Sequence, residues 1–190
     1  RVKKTFNKAV RIILFAVIFA AMFISPVYGF ENLAEEYKSD TIIFMKLSEK
    51  LKGDGNGNYN LDRPVTREEY AVLLDRIAKI ADKTADLDFS DYSEISDWAN
   101  QAIQNGIYYG YINGYPTGEF RPYDDVTYEE AVKMALVAKD EKNASLEFPD
   151  GFTDSAEFCG LLYGVFGDLS DPITRGDAVV LLYNTFPSNI

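Results

Sequence analysis

The sequence predicts a mainly helical fold built from tandem helix–loop–helix repeats. The first sign is a segment that occurs three times: Val65-Thr66-Arg67-Glu68-Glu69, Val126-Thr127-Tyr128-Glu129-Glu130 and Ile173-Thr174-Arg175-Gly176-Asp177. Each joins a branched residue to Thr and precedes an apolar stretch at helical spacing. Ala71, Leu74, Ile77, Ala78 and Ala81 share one face, Ala131, Met134, Ala135 and Ala138 a second, and Ala178, Leu181, Leu182 and Phe186 a third. The second sign is a glycine-rich turn closing on an aromatic. Tyr59 of Gly57-Asn58-Tyr59 stands seven residues before Thr66, and Phe120 of Gly118-Glu119-Phe120 stands seven before Thr127. Third, a helical array needs about three units to bury a common core, and this chain carries three capped segments.

The chain has 190 residues, 47% of them hydrophobic, which is enough for a real core. It contains no histidine and one cysteine. Ser-His-Asp and Cys-His catalysis are therefore excluded, as are His-ligated metals, cysteine-cluster zinc and an internal disulfide. A net charge of −11 argues against nucleic acid, whose phosphates call for Lys and Arg.

The segments follow in order. Residues 1–29 read as a secretory signal peptide. Arg1, Lys3, Lys4, Lys8 and Arg11 precede a thirteen-residue apolar run, Ile12 to Ile24, that ends before Pro26, with cleavage expected after Gly29. As a helix that run spans about 20 Å, short of the roughly 30 Å hydrocarbon slab. The alternative is an uncleaved membrane anchor. Without these residues the chain is 161 residues long, and the loss of five positive charges takes it from −11 to −16. Residues 30–84 form a first unit without a clear opening, and 85–147 a second, the most complete. The second begins with Phe89-Ser90-Asp91 and continues with Trp98, Ala99, Ala102 and Ile103 on one expected helical face. Residues 148–190 form a short third unit, with Phe152-Thr153-Asp154 at the equivalent start. Lys79 to Asp88 and Lys139 to Pro149 read as connectors.

Phe89-x-Asp91, Trp98-Ala99, Ala102-Ile103, Gly106, Gly110-x-Ile112-x-Gly114, Gly118-x-Phe120-x-Pro122 and Val126-Thr127 together resemble the S-layer homology domain. Val65 to Glu69 and Ile173 to Arg175 look like its Ile-Thr-Arg-Ala-Glu signature. The resemblance covers roughly residues 40–186 and implies a pseudo-threefold, spindle-like helical bundle. Its grooves would hold secondary cell-wall polysaccharide, typically ketal-pyruvylated, as a non-covalent anchor of a secreted protein at the bacterial cell wall or S-layer. Tyr128 stands where the signature has arginine, and Gly176 and Asp177 where it has Ala and Glu. The resemblance implies polysaccharide-binding roles for Arg67, Arg175, Trp98, Asp91, Gly114 and Glu68, and no catalytic residue, metal or cofactor.

The residues also carry local readings. Thr66, Thr127 and Thr174 are expected helix N-caps, and Glu69 and Glu130 complete Thr-x-x-Glu capping boxes. Arg67 and Arg175 follow their caps, where the helix dipole disfavours a cation. That mismatch suggests a ligand carboxylate or phosphate, with a surface ion pair as the alternative. Trp98 suits either the core or the wall of a sugar groove, and Asp91 either a helix cap or a sugar hydroxyl. Asp54 to Asn60 partly mimics a calcium loop, but Tyr59 and Val65 occupy positions that need Gly and Glu, so a turn is the better reading. Cys159, among Phe158, Leu161 and Leu162, reads as a buried small hydrophobe. A two-carboxylate glycosidase is disfavoured, because the acids lie at helix starts and in connectors. The rival to an anchor is a degenerate envelope protein without polymer binding, either released or tethered to the membrane by Ile12 to Ile24.

Overall fold

The computed structural model describes residues 28–189, so the signal segment expected at 1–29 lies almost wholly outside the described residues. The described residues divide between two units at Tyr37 and Lys38, and the packing below is that of the second. Six α-helices are described: α1 (Tyr28–Leu47), α2 (Arg67–Ala78), α3 (Asn100–Tyr108), α4 (Tyr128–Lys139), α5 (Asp150–Phe158) and α6 (Arg175–Thr185). Among the described residues extended backbone pairs only as isolated bridges, so the fold is mainly α. No described helix is long and apolar enough to cross a membrane.

Helices α2, α4 and α6 pack against one another at the centre. Their apolar faces bury Leu73, Leu74 and Ile77, then Ala131, Val132 and Ala135, then Val179, Leu181 and Leu182. Helix α3 packs on α2, and α5 on α4. The end of α1 meets α6, where Phe44 sits edge-on to Tyr183 at 6.0 Å. Helices α3 and α5 thus each cover the capped helix that precedes them.

The residues before the three Thr caps form a closed backbone ring. Val65 N–H donates to Ile173 C=O at 3.1 Å, Ile173 N–H to Val126 C=O at 2.8 Å, and Val126 N–H to Val65 C=O at 3.0 Å. All three side chains are fully buried. The first helical residues close a second ring in the opposite order: Arg67 N–H donates to Asp124 C=O, Tyr128 N–H to Asp171 C=O and Arg175 N–H to Arg63 C=O. Helix N-termini leave N–H groups without intrahelical partners. Here each neighbouring segment supplies the missing acceptors.

Several local expectations change. Helix α2 ends at Ala78 because Lys79 turns left-handed (φ 53°), leaving Ala81 exposed beyond it. Trp98 lies in a turn before α3 rather than on its buried face, because α3 begins at Asn100. Phe152-Thr153-Asp154 lies inside α5 instead of opening a unit, since the helix already starts at Asp150. Cys159 is exposed, not buried: α5 turns Phe152 and Ala156 inward and leaves Phe158 and Cys159 facing out.

The ring makes Ile173 a sensitive position. Ile173→Ala should lower the unfolding free energy by about 2–5 kcal/mol, read as a fall in the urea midpoint with an unchanged slope.

Candidate carbohydrate-binding grooves

The three caps are built alike. Thr127 Oγ1 accepts from Glu130 N–H at 3.3 Å, and Glu130 Oε2 accepts from Thr127 N–H at 3.2 Å. Glu69 Oε2 accepts from Thr66 N–H at 3.2 Å. Thr174 Oγ1 accepts from Asp177 N–H at 3.2 Å and donates to Asp177 Oδ2 at 2.6 Å. Rigid caps of this kind fix the direction taken by the next side chain, which is Arg67, Tyr128 or Arg175.

Arg67 reaches into the glycine-rich loop before α4. Its Nε donates to Phe120 C=O at 2.9 Å and its Nη2 to Asn113 C=O at 3.2 Å. Its guanidinium lies 4.6 Å from the Tyr115 ring centre and 3.6 Å from Glu130 Oε1. Tyr115 OH donates to the same Glu130 oxygen at 3.1 Å. With Gly114, Lys133 and Phe148, these residues line a first groove of about 430 Å³. Gly114 is required by space, since a Cβ there would stand 2.8 Å from the Phe89 ring and 3.0 Å from Glu119 C=O. Tyr111, with its hydroxyl buried and unpartnered, also contributes to the lining. Burial raises the pKa of that hydroxyl above the usual phenol range.

Arg175 makes the corresponding reach to the first glycine-rich loop, its Nη2 donating to Lys52 C=O at 3.1 Å. It shares a second groove of about 200 Å³ with Lys52, Gly53, Glu69, Arg76 and Trp98. Trp98 is 57% exposed there. The two loops match in register: Asp54 N–H donates to Asn58 C=O at 3.0 Å, and Tyr115 N–H to Glu119 C=O at 2.8 Å. The calcium-like segment is thus a turn. Asp54 Oδ1 accepts from the N–H groups of Asn56 and Asn58, and no described group of acids gathers as for a metal.

The third position is filled from within. Tyr128 carries its ring to the spot where a Cβ on Gly167 would stand, 2.4 Å away. Its hydroxyl lies between Phe166 C=O and Asp177 Oδ2. Burial, then the Asp177 carboxylate, push its pKa above the usual phenol range. Lys38 donates to Asp177 Oδ1 at 2.7 Å.

The remaining expected site residues lie behind the grooves. Both Asp91 oxygens are used by the loop, accepting from Phe120 N–H at 2.8 Å and Arg121 N–H at 2.7 Å. Asp91 therefore clamps the glycine-rich turn and makes no side-chain cap bond. Glu68 is buried and accepts from Ser96 N–H at 3.1 Å and Ser96 Oγ at 3.0 Å, holding the segment that carries Trp98. Trp98 faces Arg175, while Arg67 faces Phe148, which sequence reasoning left in a connector. A signal for Phe148 existed: Asp97-Trp98-Ala99 and Glu147-Phe148-Pro149 each put acid and aromatic just before a nine-residue helix. Lys133, whose Nζ lies 5.3 Å from the Phe148 ring, had no such signal.

Residues 88–132 match the S-layer homology domain family model. That stretch is similar to one S-layer homology unit. The chain is 26% identical to a cell surface protein of Thermoanaerobacter kivui over 94% of this chain and 24% of that protein. It is 28% identical to the middle cell wall protein of Brevibacillus brevis over 70% of this chain and 13% of that protein. It is 30% identical to a cellulosome-anchoring protein of Acetivibrio thermocellus over 58% of this chain and 27% of that protein. The chain thus spans about a quarter or less of the length of these relatives. The S-layer homology match and the surface-protein relatives support a secreted, cell-wall-associated location.

Two stability differences follow. Arg67→Ala strands two loop carbonyls, so it should cost at least the roughly 1.5–3 kcal/mol of a hydrogen bond to a charged group. Trp98→Ala should stay within about 0.5 kcal/mol of wild type. Urea denaturation separates the two. Burial raises the pKa of Glu69, but hydrogen bonds from Arg63 and Thr66 outweigh it and hold the carboxyl below its ordinary 4.5. A depressed folded pKa gives stability that is present above pH 4.5 and lost as pH falls through the folded value. Glu69→Gln should therefore flatten the loss of stability in acid, seen as a smaller drop in melting temperature below pH 4.5.

Proposed function

We propose that this chain anchors a secreted protein to the bacterial wall without covalent attachment and without catalysis, by binding secondary cell-wall polysaccharide in its two open grooves. The observation that carries the reading is the repeated pairing of an arginine just after a Thr cap with a glycine-rich loop and an exposed aromatic. Arg67 pairs with Gly114 and Phe148, and Arg175 with Gly53 and Trp98. A flat apolar ring suits a sugar face. A guanidinium beside a helix N-terminus suits a carboxylate such as that of a pyruvate ketal. Gly114 lets the loop that lines the groove pack against Phe89, while Asp91 and Glu68 hold the loops. The S-layer homology match and a relative named as cellulosome-anchoring support wall attachment.

In this reading residues 30–84, 85–147 and 148–190 are three repeats, and the grooves lie where one repeat meets the next. A second reading, a degenerate envelope protein without polymer binding, draws on the third position, where Tyr128 stands in place of arginine and fills the space.

Co-sedimentation with purified sacculi, before and after chemical removal of the secondary polymer, tests the proposal. Wild type should sediment only with polymer-bearing walls. Trp98→Ala combined with Phe148→Ala, changes at exposed positions that spare the fold, should weaken sedimentation about tenfold or more, the loss of roughly 1.4 kcal/mol. A folded wild type that stays in the supernatant with polymer-bearing walls from several pyruvylated sources would overturn the anchor reading.

A further inference from the structure

The cations of this acidic chain are unevenly spread. Residues 30–190 contain 14 Lys and Arg, and six of them meet around the second groove. Lys52, Arg76 and Arg175 line it. Lys46 and Lys52 line an adjoining cavity of about 310 Å³ beneath the glycine-rich loop. Lys50 Nζ donates to Arg76 C=O at 3.0 Å, and Arg63 stands at the groove's edge on Glu69 at 2.8 Å. The acids lining the two cavities are Glu49 and Glu69, and Arg63 takes up Glu69. Among the described residues Lys46, Lys52, Arg76 and Arg175 make no ion pair. Burial and neighbouring cations pull the pKa of Lys50 down, and burial does the same to Arg175.

The first groove is different. Arg67 is engaged by two carbonyls, two aromatic rings and Glu130, and Lys133 is the other cation in its lining. Where the first loop has Asp54 and Gly55, the second has Tyr115 and Pro116, both of which line the groove beside Arg67. Like charges held together create a local positive potential even on a negative protein. An anion with one charge satisfies one of these groups, whereas a chain of anions satisfies several.

We propose that the second groove and the adjoining glycine-loop cavity form one continuous polyanion track. Arg175 takes one acidic group of a glycan, and Lys46 and Lys52 take the next along the chain. The glycan rests on the wall-binding reading, but the charge cluster does not.

Two experiments separate these claims. In the first, melting temperature is measured with and without tripolyphosphate, a small linear polyanion. A ligand that binds only the folded state raises it. Wild type and a Lys139→Gln, Lys142→Gln control should both be stabilised, and Lys46→Gln, Lys52→Gln should not. No stabilisation of wild type, or equal loss in both double variants, overturns the track. In the second, binding to polymer-bearing sacculi is followed from about 0.1 to 1 M NaCl, where the Debye length falls from about 10 to about 3 Å. Lys46→Gln, Lys52→Gln should bind several-fold more weakly than wild type at low salt and approach it at high salt. Equal binding at low salt overturns the track. Failure of wild type to bind the sacculi, with stabilisation by tripolyphosphate intact, removes the glycan reading and leaves the polyanion site standing.

Discussion

The closed ring of Val65, Ile173 and Val126 is the constraint on which the rest depends. Each residue donates its N–H to the next and accepts from the one before, and all three side chains are sealed in the core. A buried backbone polar group without a partner is costly, so the three segments stabilise one another or none is stable. The ring sets the three helix starts side by side, which lets α2, α4 and α6 bury their apolar faces together. It also directs the residue after each cap toward the loop of a neighbouring segment.

That geometry explains why one sequence pattern has three outcomes. Arg67 and Arg175 leave equivalent helix starts and enter equivalent loops, yet only Arg67 is shut in by an aromatic at the next loop position, Tyr115. The matching residue by Arg175 is Asp54, which folds back onto its own turn, so the second groove stays open and cationic. Tyr128 closes the third position, and Lys38 from α1 reaches Asp177 beside it. The same architecture gives two grooves of unlike character and one internal clamp.

Charge follows this division. Asp91, Glu94, Glu119 and Asp124 gather with Arg121 around one cavity, while the cations gather near Arg175. A net-negative protein is repelled by an anionic polymer at long range, so approach depends on such local concentration of positive charge.

Much of this protein is local, and the local part was legible. The three Thr caps, the acid three residues on and the 3.6-residue spacing mark α2, α4 and α6, because helix capping and amphipathicity are encoded within a dozen residues. The glycine-rich turns were legible for the same reason. Tertiary structure alone decided the rest. Arg175 meets Lys52 across 123 residues, and Lys38 meets Asp177 across 139. Trp98 belongs with Arg175 and Phe148 with Arg67, pairings that no spacing announces. Tyr128 becomes a plug because Gly167 leaves room for its ring. Cys159 and Phe158 face outward because the start of α5 fixes its rotation. Periodicity within a segment says which face is apolar. Only closure of the ring says which segment that face and its neighbouring arginine will meet.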